Sequence, residues 1–183
     1  MRRESSFNVR WALTVVVGST ALVAGCGGGT TVNPTTTGAR AAPVRASEAA
    51  LRKVAAVVDH PVFWVEGRTP ATYELTQTAD GRIYIRYLPK DVALGDPRPN
   101  FLTVGTYPQA DAFAAVQRAA KRAGGLVTDL PGGGVMVSQT ATPTSVFFAT
   151  PKSTVLVEVF DPTASRAATL VTSGAVHAIE TRQ

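Results

Sequence analysis

Two alternating segments, Tyr73-Glu74-Leu75-Thr76-Gln77 and Ile83-Tyr84-Ile85-Arg86-Tyr87, flank the turn-forming stretch Thr78-Ala79-Asp80-Gly81-Arg82. Side chains alternate faces along a strand, so slipping the register by one residue would turn every side chain to the other face. A two-residue Asp80-Gly81 turn would set Leu75 opposite Arg86. A three-residue Ala79-Asp80-Gly81 loop instead sets Leu75 opposite Ile85, Tyr73 opposite Tyr87 and Glu74 opposite Arg86. The second register gathers apolar residues on one face and pairs opposite charges on the other. It also puts Gly81 at the left-handed bulge position of a three-residue hairpin. The chain is therefore expected to build an antiparallel hairpin here.

The elements around the hairpin follow from periodicity and punctuation. Ser47 is a candidate N-cap, followed by Leu51, Val54, Ala55 and Val58 on one helical face. Asp59-His60-Pro61 stops that helix, because the residue before proline avoids the α region. Pro61–Val65 reads as a strand, 89–100 as a long loop with three prolines, and Phe101–Tyr107 as a strand. A second helix is expected from Pro108, with Phe113, Val116, Ala120 and Ala123 as its apolar stripe. Its basic residues Arg118, Lys121 and Arg122 lie near the end that favours cations, and Gly124-Gly125 terminates it. Strands follow at 126–130, 135–139, 146–149 and 155–160. A third helix is capped by Asp161 with Pro162 at its first position, and 176–179 is a last strand. The expected fold class is α+β: an antiparallel sheet with two to three helices packed on one face. The order helix, four strands, helix, four strands suggests an internal duplication.

The N-terminus has a different character. Arg2, Arg3 and Arg10 make a basic leader, and Ala12 to Ala24 is uncharged. Thirteen helical residues reach ~20 Å, short of the ~30 Å hydrocarbon core. A basic stretch, a short apolar run and small residues after it make a secretory signal. Val23-Ala24-Gly25-Cys26 resembles the lipobox of bacterial lipoprotein precursors. The resemblance implies cleavage between Gly25 and Cys26 and a diacylglyceryl thioether on Cys26, the only cysteine. It places the protein at the cell membrane, lipid-anchored and facing outside the cytoplasm. Residues 1–25 are then the signal peptide, and 26–46 the lipidated cysteine with a Gly/Thr/Pro tether. Residues 47–183 form one domain. The whole chain has 14 Arg to 4 Lys, and the domain resembles only the uncharacterised secreted lipoproteins of high-GC bacteria.

One cysteine excludes an internal disulfide framework and a structural Cys-based zinc site. Losing residues 1–25 lowers the net charge from +5 to +3, and the basic residues are scattered. Nucleic acid is therefore not an expected partner. The motifs of the nucleophile elbow, phosphate loop, zinc protease and calcium loop do not occur, so no catalytic residue, metal or cofactor is assigned. Asp91, Asp96 and Asn100 share the long loop and offer oxygen ligands to a divalent cation, but a solvated loop is the expected reading.

The candidate ligand-binding row is Arg82, Tyr84 and Arg86 on one strand face, rimmed by Asp96 and Arg98 from the loop. Arginine forks beside an aromatic suit carboxylate, phosphate or sugar groups. The competing view is an ordinary outer or covered face with Arg86 held by Glu74. Three functional readings follow. The first is a non-enzymatic membrane lipoprotein that binds a small ligand or an envelope component. The second is an envelope hydrolase joining His177 to Asp129 or Glu158. The third is a carrier of an apolar ligand held between helices and sheet.

Overall fold

The computed structural model describes residues 42–68, 70, 72–122 and 124–181. The expected signal peptide, with Gly25 and Cys26, falls outside the described residues. Ten strands and three helices are described. In chain order they are β1 (Val44–Ala46), α1 (Glu48–Val57), β2 (Phe63–Val65), β3 (Thr72–Gln77), β4 (Ile83–Leu88), β5 (Thr103–Pro108) and α2 (Ala112–Ala120). They continue with β6 (Gly125–Leu130), β7 (Gly134–Gln139), β8 (Thr142–Ala149), β9 (Val155–Phe160), α3 (Arg166–Thr172) and β10 (Val176–Ala178).

Eight strands form one antiparallel sheet in the order β1-β3-β4-β5-β9-β8-β7-β6, and β10 pairs with β2 in a separate ribbon. The hairpin adopts the three-residue register: Tyr73 faces Tyr87, Glu74 faces Arg86 and Leu75 faces Ile85. Gly81 has φ of +81°, a conformation that costs a side-chain-bearing residue strain.

On one face of the sheet, Leu75, Ile85, Val104, Val157, Val146, Phe148 and Met136 pack with Leu51 of α1 and with Ala167 and Val171 of α3. Burying such a side chain stabilises the fold by ~1.5–3 kcal/mol each. The β2–β10 ribbon crosses the same face. The Val65 N–H donates to the Tyr87 hydroxyl at 2.6 Å, and the Phe63 N–H to Thr106 Oγ1 at 3.1 Å. Trp64 is fully buried there, with the Arg52 guanidinium 4.9 Å from its ring centre.

The other face is also covered, which corrects the one-face expectation. Ala112 and Val116 of α2 pack on Val135, Val137, Ala149 and Leu156. These alternate along β7 to β9 with the residues of the first core, so the two clusters lie on opposite sides of the sheet. Over β3 and β4 the cover is the loop between β4 and β5 rather than a helix.

Several boundaries move, three of them for visible reasons. Val44–Ala46, expected in the tether, form β1 on the edge of β3, where Arg45 lies opposite Glu74 and donates to the Thr72 hydroxyl. The second helix starts after Asp111 instead of at Pro108, because the Gln109 N–H bonds the Thr154 carbonyl at 2.7 Å and prolongs the strand pairing. The third starts at Arg166 instead of Pro162. Ser165, with φ of +66°, interrupts the chain there, and Asp161 caps only a local turn by accepting the Thr163 N–H at 2.9 Å.

Candidate functional site

The Arg82/Tyr84/Arg86 row lies on the face of the sheet away from α1, but its members serve two different assemblies. Arg86 donates to Glu74 at 2.6 Å, to the Asp96 carbonyl at 2.8 Å and to the Arg98 carbonyl at 3.2 Å. Glu74, only 2% exposed, also accepts the Gly95 N–H at 2.6 Å. A buried carboxylate and guanidinium thus draw the loop across the strand face, and the open surface expected at Arg86 is closed. Arg86, Asp96 and Arg98 do come together as their spacing suggests, but through main-chain carbonyls. The Arg98 side chain turns to its own neighbour, Asp96, at 2.6 Å. Arg98 lowers the Asp96 carboxyl to a pKa of about 2. That contact engages the same carboxylate considered above as a cation ligand. Among the described residues no group of three or more His, Cys, Asp or Glu side chains could hold a metal ion.

Tyr84 and Arg82 belong to the second assembly. Tyr84 meets Tyr107 edge to face with ring centres 5.6 Å apart, and the Arg82 guanidinium is 5.9 Å from the Tyr107 ring centre. The Tyr107 hydroxyl donates to Glu158 on the neighbouring strand. Burial pushes the Glu158 carboxyl up, while hydrogen bonds from Tyr107 and Ser145 pull it down. Burial and the Glu158 charge push the Tyr107 phenol up. Both groups hold their protons more firmly than in water. The pair is therefore a cross-strand tie, in which the Tyr107 hydroxyl occupies the Glu158 carboxylate.

The histidines take other partners. His177 meets Glu66 at 3.3 Å, and Glu158 meets Tyr107, so the His177–Glu158 combination is not formed. The ring nitrogens of His60 lie 3.0 Å from the carbonyls of Pro61 and Gly81, joining the start of β2 to the hairpin turn. Between the sheet and the α1/α3 layer, the space considered for an apolar ligand holds Leu51, Trp64, Phe148 and Val171.

A cleft that sequence reasoning missed opens where β4 and β9 end and β5 begins. It encloses about 440 Å³, with Tyr87, Leu88, Phe101 and Leu102 in its walls and Arg68, Lys90, Asn100, Asp161, Thr163 and Arg166 supplying polar groups. Asp161 is 2% exposed and lies 3.9 Å from Arg68 and 3.6 Å from Arg166. Its polar residues come from the β2–β3 connection, the long loop, the end of β9 and the start of α3. No local motif could display them together. The one signal is Asp161 at a strand end before proline, a pattern that by itself reads as a helix cap. Comparison of the chain with family models, curated proteins and solved structures finds no match.

Proposed function

We propose that this chain is a lipid-anchored lipoprotein on the outer face of the cell membrane, whose domain binds a ligand rather than catalysing a reaction. The location rests on the Val23-Ala24-Gly25-Cys26 sequence after a basic leader and a short apolar run. Two or three acyl chains on Cys26 would anchor it stably, at ~0.8 kcal/mol per buried CH₂. The binding role is carried by one observation, the solvent-open cleft that sets Arg68 and Arg166 beside the buried Asp161 carboxylate, with Lys90 in the same lining. Its volume lies within the roughly 300–1,000 Å³ range of small-molecule sites.

The location is tested by mass spectrometry of the protein from membranes. The N-terminal peptide should start at Cys26 and carry lipid mass, and an unmodified peptide starting at Met1 would overturn it. The binding role is tested by amide NMR during titration of a fragment set. Shifts should cluster at Lys90, Asn100 and Thr163, and a set that leaves those three positions unmoved would count against the cleft.

The strand order reads outward from β5–β9 as two matching three-strand meanders, which supports an internal duplication. Against it, α1 and α2 cover opposite faces. A two-fold axis relating antiparallel halves of one sheet runs normal to the sheet and keeps each face on its own side. We therefore read the halves as two meanders joined at the centre.

A further inference from the structure

We propose that the cleft beside Asp161 takes a phosphate monoester group attached to an apolar or ring-bearing body. The inference deepens the binding role proposed above and rests on it. Three cations, Arg68, Lys90 and Arg166, line the cleft against one carboxylate, Asp161, so the lining carries a formal charge of +2. A phosphate monoester carries a charge of about −1.5 to −2 at neutral pH.

The arginine–carboxylate pairs of the cleft are longer than the other such pairs among the described residues. Elsewhere guanidiniums close tightly on their partners: Arg86 on Glu74 at 2.6 Å, Arg98 on Asp96 at 2.6 Å and Arg118 on Asp111 at 2.5 Å. Arg68 and Arg166 stand off from Asp161 at 3.9 and 3.6 Å. Those separations exceed the ~2.7–3.2 Å range of N–H···O bonds, so Asp161 takes no hydrogen bond from either guanidinium, and the two side chains are 35% and 50% exposed. Asp161 itself is held in place, with one oxygen accepting the Thr163 N–H and its backbone N–H bonding the Thr144 carbonyl at 2.9 Å. A fixed carboxylate therefore stands beside two arginines without taking a hydrogen bond from either. Lys90 adds an exposed ammonium with no ion pair among the described residues. Arginine forks match the planar spread of phosphate oxygens, and lysine serves phosphate as a point charge.

The rest of the lining is apolar. Tyr87, Leu88, Phe101 and Leu102 form that side of the cleft, each 7% exposed or less, and the Tyr87 hydroxyl is held by the Val65 main chain. A ring-bearing body would extend the contact along this closed wall, which a bare inorganic anion would not touch.

A soluble phosphate ester and a phospholipid headgroup share this chemistry, and calorimetry on the full chain in non-ionic detergent separates them. The probes are phenyl phosphate, dihexanoyl phosphatidate and benzoate. Phenyl phosphate should bind at least about tenfold more tightly than benzoate, and binding should weaken as sodium chloride is raised. Lys90→Gln and Arg166→Gln should each weaken it about tenfold, whereas Arg118→Gln should not. Lys90 is exposed and unpaired, so its variant keeps the test valid even if Arg166→Gln disturbs folding. Tighter binding of dihexanoyl phosphatidate than of phenyl phosphate would assign the group to a lipid headgroup, and the reverse to a soluble ester. The proposal is overturned if neither phosphate binds, if benzoate binds as well, or if both cleft variants leave binding unchanged. Phosphate failure alongside fragment shifts at Lys90 and Asn100 would remove the phosphate but leave the binding role. Failure of both would remove both.

Discussion

The Tyr107 ring lies across Gly105: a Cβ built at Gly105 would stand 2.9 Å from the Tyr107 hydroxyl oxygen and about as close to the ring edge. Gly105 is the register partner of Glu158, so a tyrosine two residues further on must lean back over a bare backbone to reach that carboxylate. Gly105→Ala should therefore cost about 1–3 kcal/mol, the loss of a partly buried hydrogen bond to a carboxylate. Chemical denaturation measures it. In a Tyr107→Phe background, which has no such bond to lose, the same substitution should cost clearly less. Equal costs in the two backgrounds would show that Gly105 is not there to admit the tyrosine bond.

Glu158 makes a pH prediction whose sign is fixed. Its folded pKa is raised, chiefly by burial. Between the unfolded and folded values the native state holds a proton that the unfolded chain has released, so stability falls as pH rises through that interval. The contribution is complete below the unfolded glutamate value and lost above the folded one. Glu158→Gln keeps an acceptor for Tyr107 and removes the charge. Relative to wild type, the variant should gain stability on going from pH 4 to pH 7. Urea midpoints of both proteins across that range provide the check, and parallel curves would refute the shift.

The Glu74–Arg86 pair decides whether the long loop stays on the sheet. Its side chains are 2% and 14% exposed, and Arg86 also holds two loop carbonyls. Removing one partner of a buried pair leaves the other uncompensated, at a cost of about 3–5 kcal/mol. Arg86→Met should show that cost in denaturation and should speed proteolysis between Pro89 and Asn100. Glu74→Leu with Arg86→Met should recover part of the stability, while the loop remains more easily cut because its carbonyl donors are gone.

The hairpin was legible because its information is local: strict alternation in Tyr73–Gln77 and Ile83–Tyr87, and a glycine where φ is positive. The cover on the second face was less legible, although its signal was present. Gly134–Val137 and Val155–Val157 are continuous apolar runs, as expected of strands buried on both faces. On β3 and β4 the covered face carries Glu74, Thr76, Tyr84 and Arg86, polar residues indistinguishable in sequence from a wet surface. Only the loop returning over them settles the matter. The Asp161 cleft was not legible at all, because Arg68, Lys90 and Arg166 come to line one cleft only where the ends of β4 and β9 meet the start of β5.

Asp161 permits a test that separates charge from shape in that cleft. An asparagine side chain retains an oxygen to accept the Thr163 N–H, so Asp161→Asn keeps the turn while raising the lining charge by one. The two arginine contacts it loses are long, and the Arg68 and Arg166 side chains are 35% and 50% exposed, so solvent screens much of their energy. The stability cost should therefore be small, about 1 kcal/mol or less from those pairs. Phenyl phosphate should bind several-fold more tightly, because the one repulsive charge facing it has been removed. If Asp161 instead serves mainly to gather the arginines, the variant should bind more weakly and Arg166 should become more mobile. Calorimetry with the variant distinguishes the two outcomes by the sign of the affinity change.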